Sequence, residues 1–179
     1  MRGDYSIRAA VPADAAAIAA VYRPHVLHGV ATFETVPPEA EEMAARISTV
    51  LAAGWPWLVA LDAAGELAGY AYAGQLKPRR AYLFACEDSV YLHPDRLGQG
   101  LGTALLRALI EACEACGFRQ MVALIAGSEA ASVALHARCG FVEAGHWRAV
   151  GRKHGRWLDV LSMQRALGPG DSMPPENEP

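Results

Sequence analysis

A glycine-rich segment between a strand pattern and a helix pattern constrains the fold of this chain most. Residues 86–92 are predicted to form a strand, and residues 98–102, Gly-Gln-Gly-Leu-Gly, lead directly into a long helical pattern. Glycine lets the backbone approach a ligand closely, and the free N–H groups at a helix start favour an anion. The segment is not a Walker A motif, and Thr103 breaks the G-x-G-x-x-G pattern. The glycines alone leave two interpretations open, a phosphate site and a plain tight turn.

The remaining pattern alternates early helices with several strands. Two helices are expected, from Pro12 to about His28 and from Pro38 onward, with a loop at 29–38 between them. A short helix at 130–138 ends at Gly140, a usual C-terminal cap. The predicted strands are 5–11, 57–62, 67–75, 86–92, 120–126, 141–150 and 157–165. This order predicts an α/β (α+β) fold with a mixed sheet and helices on both faces.

Composition limits the domain count and the ligand class. The 179 residues are 53% hydrophobic and 20% charged, which excludes disorder as the main state and favours one domain. We expect that domain to span 1–167, with 168–179 a flexible acidic tail rich in Pro and Gly. The net charge of −3 excludes a strongly basic nucleic-acid binder. The tail holds Asp171, Glu176 and Glu178 and no Lys or Arg, so the rest of the chain is formally neutral.

Targeting and cysteine patterns indicate a cytoplasmic protein without membrane or metal partners. The N-terminus has no apolar signal segment, and no apolar run reaches the roughly 18–20 residues of a membrane span. The four cysteines lack zinc-site spacing, although Cys113 and Cys116 form a C-x-x-C inside a helical pattern. We expect all four to be small apolar core residues.

Several short motifs in a fixed order carry a family resemblance. They include A-T-F-E-T at 31–35, K-P-R-R-A-Y at 77–82, E-D-S-V-Y-L at 87–92 and V-G-R-K-H-G-R-W-L-D-V at 150–160. Together with the glycine segment and S-V-A-L-H-A-R-C-G-F at 132–141, they resemble the GNAT acetyltransferases. Over about residues 7–164 the resemblance narrows to the phosphinothricin and methionine sulfoximine N-acetyltransferases. It implies a mostly antiparallel sheet, acetyl-CoA as acetyl donor, no metal, a small amino-acid acceptor and a homodimer.

The resemblance also implies where acetyl-CoA binds. The family signature is Gln/Arg-x-x-Gly-x-Gly/Ala, whose backbone amides hold the pyrophosphate, while the pantetheine pairs with the preceding strand. Two positions depart from the family: Leu97 replaces Gln or Arg, and Glu129 replaces a common Asn and cannot donate a hydrogen bond when ionised. The implied cofactor-binding residues are Val90, Tyr91, Leu92, Leu97, Gly98, Gln99, Gly100, Leu101, Gly102, Thr103 and Ser132.

Acetyl transfer to an amine needs a base and a proton donor. The amine attacks only in its neutral form, and Glu87 matches the catalytic glutamate of the family. Strand alternation places Glu87 and Asp88 on opposite faces, and it leaves Asp88 open as the rival base. His136 stands where many GNAT enzymes carry a tyrosine that protonates the leaving thiolate, and a histidine titrates near neutral pH. We therefore expect Glu87 and His136 to be catalytic.

A glutamate-like acceptor calls for cationic residues, because arginine binds carboxylates through two parallel hydrogen bonds. The resemblance implies the acceptor-binding residues Phe33, Thr35, Arg79, Tyr82 and Lys153. Three alternatives remain open: the same machinery acting on another small primary amine, a non-catalytic acyl-CoA-binding regulatory module, and a plain nucleotide-binding protein.

Overall fold

The structure, a computed structural model, describes residues 4–175, which form one sheet of seven strands with four helices. The strands are β1 (Ser6–Ala9), β2 (Trp57–Leu61), β3 (Leu67–Gln75), β4 (Ala85–Leu92), β5 (Gln120–Ala126), β6 (Val142–Lys153) and β7 (Arg156–Ala166). The helices are α1 (Ala15–Leu27), α2 (Ala40–Ala52), α3 (Leu101–Ala115) and α4 (Ala130–Arg138). The predicted α/β class is confirmed.

The order of strands across the sheet creates an opening in its middle. The order is β1-β2-β3-β4-β5-β7-β6, and all neighbouring pairs are antiparallel except β4 and β5. That parallel pair has only three registered positions, from Ala85 with Gln120 to Glu87 with Val122. Because β4 continues to Leu92 and β5 to Ala126, the two strands separate beyond Glu87 and leave a cleft.

Helices cover both faces of the sheet, as predicted. On one face α1 and α2 bury Ile18 and Ile47 against Tyr70 of β3. On the other face α3 contributes a stripe of leucines, with Leu105 and Leu109 fully buried. Burial of side chains of this size stabilises the fold by about 1.5–3 kcal/mol each. The two layers hold β3 and β4 rigidly, which fixes the backbone beside the cleft.

The last two strands are longer than the sequence pattern predicts. The expected segments were 141–150 and 157–165, whereas the structure leaves only His154 and Gly155 between β6 and β7. Both residues have positive φ angles, 49° and 72°, which is the backbone of a two-residue hairpin turn. A register shift between Trp147 and Gly151 interrupts the alternation of β6, and this irregularity hides the strand in the sequence.

The C-terminal residues and the cysteines agree only in part with the sequence-based expectations. Leu167 is fully buried and residues 168–172 form turns, whereas 176–179 of the predicted tail lie outside the described residues. The domain boundary at 167 stays a prediction. Three cysteines are buried as expected, but Cys116 is exposed at the end of α3. Within residues 4–175, no helix has the length and apolar character that crossing a membrane requires.

Candidate active site

A cavity of about 500 Å³ lies where β4 and β5 separate. Its walls come from both strands, from the segment 31–34 that follows α1, from α4, and from Trp147 and Val150 of β6. Both faces of β4 contribute side chains, because the cavity opens along the edge of the strand rather than on one face of the sheet. The sheet topology therefore brings groups that strand parity separates, such as Glu87 and Asp88, to one cavity.

The edge of β4 beyond Glu87 suits an extended ligand that pairs with the backbone. Val90 and Tyr91 line the cavity, and β4 is not registered with β5 at either position. On its other side β4 pairs with β3 through Leu92, so the strand is held in place while one edge stays available. This arrangement fits the pantetheine arm that the family resemblance implies.

The glycine segment forms an open loop before α3. Gly98 and Gly100 have φ angles of 73° and 84°, which favour glycine, and a Cβ atom at either position would meet nothing within 4 Å. The first helical residue is Leu101, so the free N–H groups of the first turn lie next to this loop. Backbone donors at a helix start fit a pyrophosphate. The loop is therefore open to a ligand and carries the donors that a phosphate needs.

Two side chains of the same segment, those of Gln99 and Leu101, make contacts within the protein. Leu101 is buried in the core, and a Cβ atom at Gly102 would lie 3.3–3.4 Å from methyl groups of Leu135 and Leu92. The side chain of Gln99 accepts a hydrogen bond from Tyr5 at 2.6 Å. Leu97 and Thr103, which flank the glycines, are exposed and half-buried respectively. The backbone N–H groups of this segment, rather than the side chains of Leu97, Gln99 and Leu101, are therefore the donors available to a phosphate.

Glu87 is half-buried in the cavity wall at the last registered position of β4 and β5. Its carboxylate has no hydrogen-bond partner within residues 4–175. Burial and the neighbouring charge of Asp88 raise the pKa of Glu87, and the positive charge of Lys77 opposes them. A carboxylate that is unpaired and more basic than usual has the properties of a general base.

Asp88, by contrast, is paired. Its Oδ2 atom lies 3.0 Å from Nε2 of His136, and the two side chains are 1% and 6% exposed. The Nδ1 atom of His136 lies 2.8 Å from the carbonyl oxygen of Ser132 and 3.4 Å from its hydroxyl. The structure thus brings the predicted residues His136 and Ser132 together at one wall of the cavity, with Asp88 behind them.

The segment 31–34 forms the opposite wall and is held by several side chains. The hydroxyls of Tyr22 and Thr32 are 2.7 Å apart, and Lys153 donates to the Thr32 carbonyl at 2.8 Å. Arg46 binds both oxygens of Glu34 at 2.7 and 3.1 Å. Phe33, a predicted acceptor residue, is thereby placed in the cavity wall.

The other four predicted acceptor residues lie outside this cavity. Arg79 and Tyr82 are exposed in the segment between β3 and β4. Thr35 lines a second cavity of about 420 Å³ together with Arg152 and His154. Lys153 is buried, and its ammonium group donates to the backbone carbonyls of Thr32, at 2.8 Å, and of His25 in α1, at 3.4 Å. In the single chain Lys153 therefore supports the segment 31–34.

Two contacts of the site carry no signal in the sequence. The Arg46–Glu34 pair joins residues 12 positions apart in different elements, and Asp88 and His136 are 48 positions apart. A pattern of spacing cannot find such pairs, because the fold alone brings them together. Within the part of the chain that the structure describes, no group of three or more His, Cys, Asp or Glu side chains is arranged to hold a metal ion.

Comparison with known proteins gives a consistent result. Residues 7–162 match the acetyltransferase (GNAT) domain profile. The chain is 52% identical to a phosphinothricin N-acetyltransferase of Alcaligenes faecalis, over 91% of this chain and 83% of the relative. It is 43% identical to an L-methionine sulfoximine/L-methionine sulfone acetyltransferase of Pseudomonas aeruginosa, over 94% and 98%. A Sinorhizobium meliloti phosphinothricin acetyltransferase, solved in complex with acetyl-CoA, superimposes with a TM-score of 0.95 at 48% identity, covering 99% of this chain and 95% of that one.

Proposed function

The chain belongs to the GNAT acetyltransferases and is an acetyl-CoA-dependent N-acetyltransferase, and we propose that its acceptor is the α-amino group of a glutamate-like amino acid, with Glu87 as the general base. The phosphinothricin and methionine sulfoximine acetyltransferases among its relatives support this acceptor class. The proposal rests most directly on the unpaired, half-buried carboxylate of Glu87 at the point where β4 and β5 separate.

Acetyl-CoA supplies the thioester whose acetyl group is transferred. In this chain the backbone of the loop at 98–103 would hold the pyrophosphate, and the edge of β4 at 90–92 would pair with the pantetheine. Ser132 lines the same cavity as Val90 and Tyr91 of this edge. These residues bind and orient the donor along the open edge of β4, directly beyond Glu87.

Glu87 prepares the acceptor for attack. The α-amino group of a free amino acid is mostly ammonium at neutral pH, so a base must take a proton before the nitrogen can attack. Glu34, Glu87, Asp88 and Glu129 all line the cavity, but Arg46 neutralises Glu34 and His136 neutralises Asp88. The charges of Glu87 and Glu129 remain and favour a bound ammonium group. Glu87 lies where β4 and β5 separate, and in this proposal it is the carboxylate that accepts the proton.

His136 is the proton source for the leaving thiolate in this proposal. The imidazole lies in the cavity wall beside Ser132, on the helix that faces the open edge of β4. A protonated imidazole can stabilise negative charge on sulfur and then neutralise it.

Recognition of the acceptor carboxylate needs a cation near the cavity mouth. The charge of Lys77 reaches Glu87, since it opposes the rise in the pKa of that carboxyl group. Arg79 and Tyr82 belong to the same segment between β3 and β4, and we propose that this segment contributes the acceptor contacts. Arginine at this place suits a ligand with a carboxylate next to the amine.

An acceptor panel tests the proposed function. We expect thiol release from acetyl-CoA with methionine sulfoximine and phosphinothricin, well above the release with aminoglycosides or a peptide N-terminus. Release with another small amine and with neither amino acid would overturn the acceptor class. Acetyl-CoA binding by calorimetry without turnover of any amine would instead indicate a regulatory module.

We also propose that the protein is a homodimer, with the last hairpin in the interface. β6 is an edge strand of twelve residues, and a long edge strand is normally covered or blocked. This hairpin exposes large apolar side chains: Val142 (67% exposed), Trp147 (49%), Val150 (54%) and Trp157 (63%). Sedimentation is expected to give twice the chain mass of 19.1 kDa, and a particle of one chain mass would contradict the dimer.

Gly151 offers a specific test of the acceptor wall. A Cβ atom at this position would overlap the ring of Phe33. The φ angle of Gly151 is not positive, so alanine changes the packing without straining the backbone. We expect Gly151→Ala to displace the ring and raise the acceptor KM roughly 10–100-fold, because small displacements in a site cost large factors in rate. Acetyl-CoA affinity should stay unchanged, and Gly145→Ala on the same strand, which has open space, is the control. A normal acceptor KM for Gly151→Ala would remove Phe33 from the acceptor site.

A further inference from the structure

Asp88 is a buried acid that the proposed function leaves without a task. Its side chain is 1% exposed, and its Oδ2 atom contacts Nε2 of His136 at 3.0 Å. The second carboxylate oxygen, Oδ1, is buried and has no hydrogen-bond partner among residues 4–175. A buried charge with so little compensation is costly, so His136 is the group on which the charge of Asp88 depends.

The hydrogen bonds of His136 define its protonation state. A carbonyl oxygen can only accept, so Nδ1, at 2.8 Å from the Ser132 carbonyl, carries a hydrogen. Nε2 faces the Asp88 carboxylate and donates to it when that acid is ionised. The ring is then an imidazolium with both protons bound, and its exposure of 6% keeps it out of solvent.

The surroundings of the ring favour the same state. Burial lowers the pKa of His136, but the hydrogen bond and charge of Asp88 and the Ser132 carbonyl raise it more, and the net result is a raised pKa. Asp88 faces the ring from β4, Ser132 faces it from the preceding turn of α4, and the ring of Phe141 packs edge-on at 5.0 Å. Glu34, Glu87 and Glu129 are the other acids that line the same cavity, and Glu34 is paired with Arg46.

We propose that Asp88 is a positioning residue that holds His136 in its doubly protonated form, so that a proton is available to the cavity through the hydroxyl of Ser132. The proposal rests on the acetyl transfer proposed above. Ser132 Oγ lies 3.4 Å from Nδ1 and is the least buried of the three side chains, which makes it the end of the chain that reaches bound ligands. Asp88 is thereby assigned a role other than that of the base.

The proton balance of the transfer is closed with these groups. Glu87 takes one proton from the acceptor ammonium, and the nitrogen forms a bond to the acetyl carbon. The carbon–sulfur bond breaks with its electron pair on sulfur, and a proton from Nδ1 of His136 passes through Ser132 Oγ to give the thiol. After the attack the acceptor nitrogen loses a second proton, which returns to His136 and restores the imidazolium. Glu87 releases its own proton to solvent. The sum is ammonium plus thioester giving amide, thiol and one proton.

A direct titration of His136 tests this role without any turnover. The imidazole signals of the full-length, ligand-free protein are followed by NMR, and they are assigned by their loss in His136→Asn. We expect Asp88→Asn to move the midpoint of His136 down by about 1–3 pH units, because an opposite charge within a few ångströms has an effect of that size. Asp159→Asn is the matched control, since it removes the carboxylate of the exposed His146 pair and should leave His136 unchanged.

Kinetics complete the test. We expect Asp88→Asn to lower kcat about 10–100-fold, with the alkaline limb of its pH profile following the new midpoint. Ser132→Ala should lower kcat and leave the midpoint of His136 in place.

An unchanged His136 midpoint in a folded Asp88→Asn, or in Asp88→Ser if the first variant does not fold, would overturn the proposal. If the fall in kcat/KM at low pH disappeared in Asp88→Asn, the proposal would also be overturned, because Asp88 would then be the base. A failure of the acceptor panel leaves the titration result intact, so the two proposals fail separately.

Discussion

Replacing Glu87 with glutamine is expected to lower kcat by about 10²–10⁴-fold while acetyl-CoA still binds. The amide keeps the size of the side chain but cannot accept the proton of the acceptor ammonium. The donor contacts come from the β4 edge and the glycine loop, so the calorimetric affinity for acetyl-CoA should change little. Glu66→Gln, in the exposed turn before β3, is the control and should retain full activity. An active Glu87→Gln enzyme would remove Glu87 from the mechanism.

The pH dependence of kcat/KM is an independent test of the role of Glu87. Burial and the charge of Asp88 raise the pKa of Glu87, and Lys77 opposes the rise. A base works only when deprotonated, so kcat/KM should fall as pH decreases through a pKa above the usual carboxyl value near 4.5. This acid limb should be absent from the residual activity of Glu87→Gln. If the acid limb persists in Glu87→Gln, a group other than Glu87 causes it.

Replacing His136 with leucine is expected to destabilise the fold by about 3–5 kcal/mol at neutral pH. The substitution leaves the carboxylate of Asp88 buried and uncompensated, and an unpaired buried charge carries a penalty of this size. Urea unfolding followed by circular dichroism measures the change. A loss below 1 kcal/mol would contradict the buried pair.

The double variant Asp88→Leu/His136→Leu separates the lost pair from lost packing. Because it removes both charges, it should recover more than half of the stability lost in His136→Leu. The pH dependence has a defined sign: the raised pKa of His136 makes the stabilisation complete below the unfolded value of about 6.5 and lost as pH rises through the folded value. Additive losses in the double variant would argue against an interacting pair.

Local sequence signals predicted most of the fold. β3, β5 and α4 have the bounds that their patterns predicted, because each combines a regular period with clear end signals such as Gly140. The last hairpin was predicted too short, since its turn residues and the irregular stretch near Ala149 depend on positive φ angles at non-glycine positions. Such conformations are set by the surrounding sheet rather than by the residue itself.

The sequence predicted individual residues of the site but not their arrangement in space. The motif around Glu87 and the glycine loop identified the two sides of the cleft, but strand parity separated Glu87 from Asp88. The separation of β4 and β5 brings both to one cavity, and no local pattern encodes where two neighbouring strands part. The support of the segment 31–34 by Arg46 and Lys153 has the same origin, because it depends on how α2 and the last hairpin pack around that segment.

Identification of the product shows which nitrogen, if any, receives the acetyl group. The protein is incubated with acetyl-CoA and methionine sulfoximine, the thiol is titrated, and the product is examined by NMR. We expect one thiol for each molecule acetylated, with the acetyl group on the α-nitrogen, and formation of both products about 10²–10⁴-fold more slowly with Glu87→Gln. No acetylation of methionine sulfoximine or phosphinothricin, with acetylation of an aminoglycoside or a peptide N-terminus instead, would contradict this expectation.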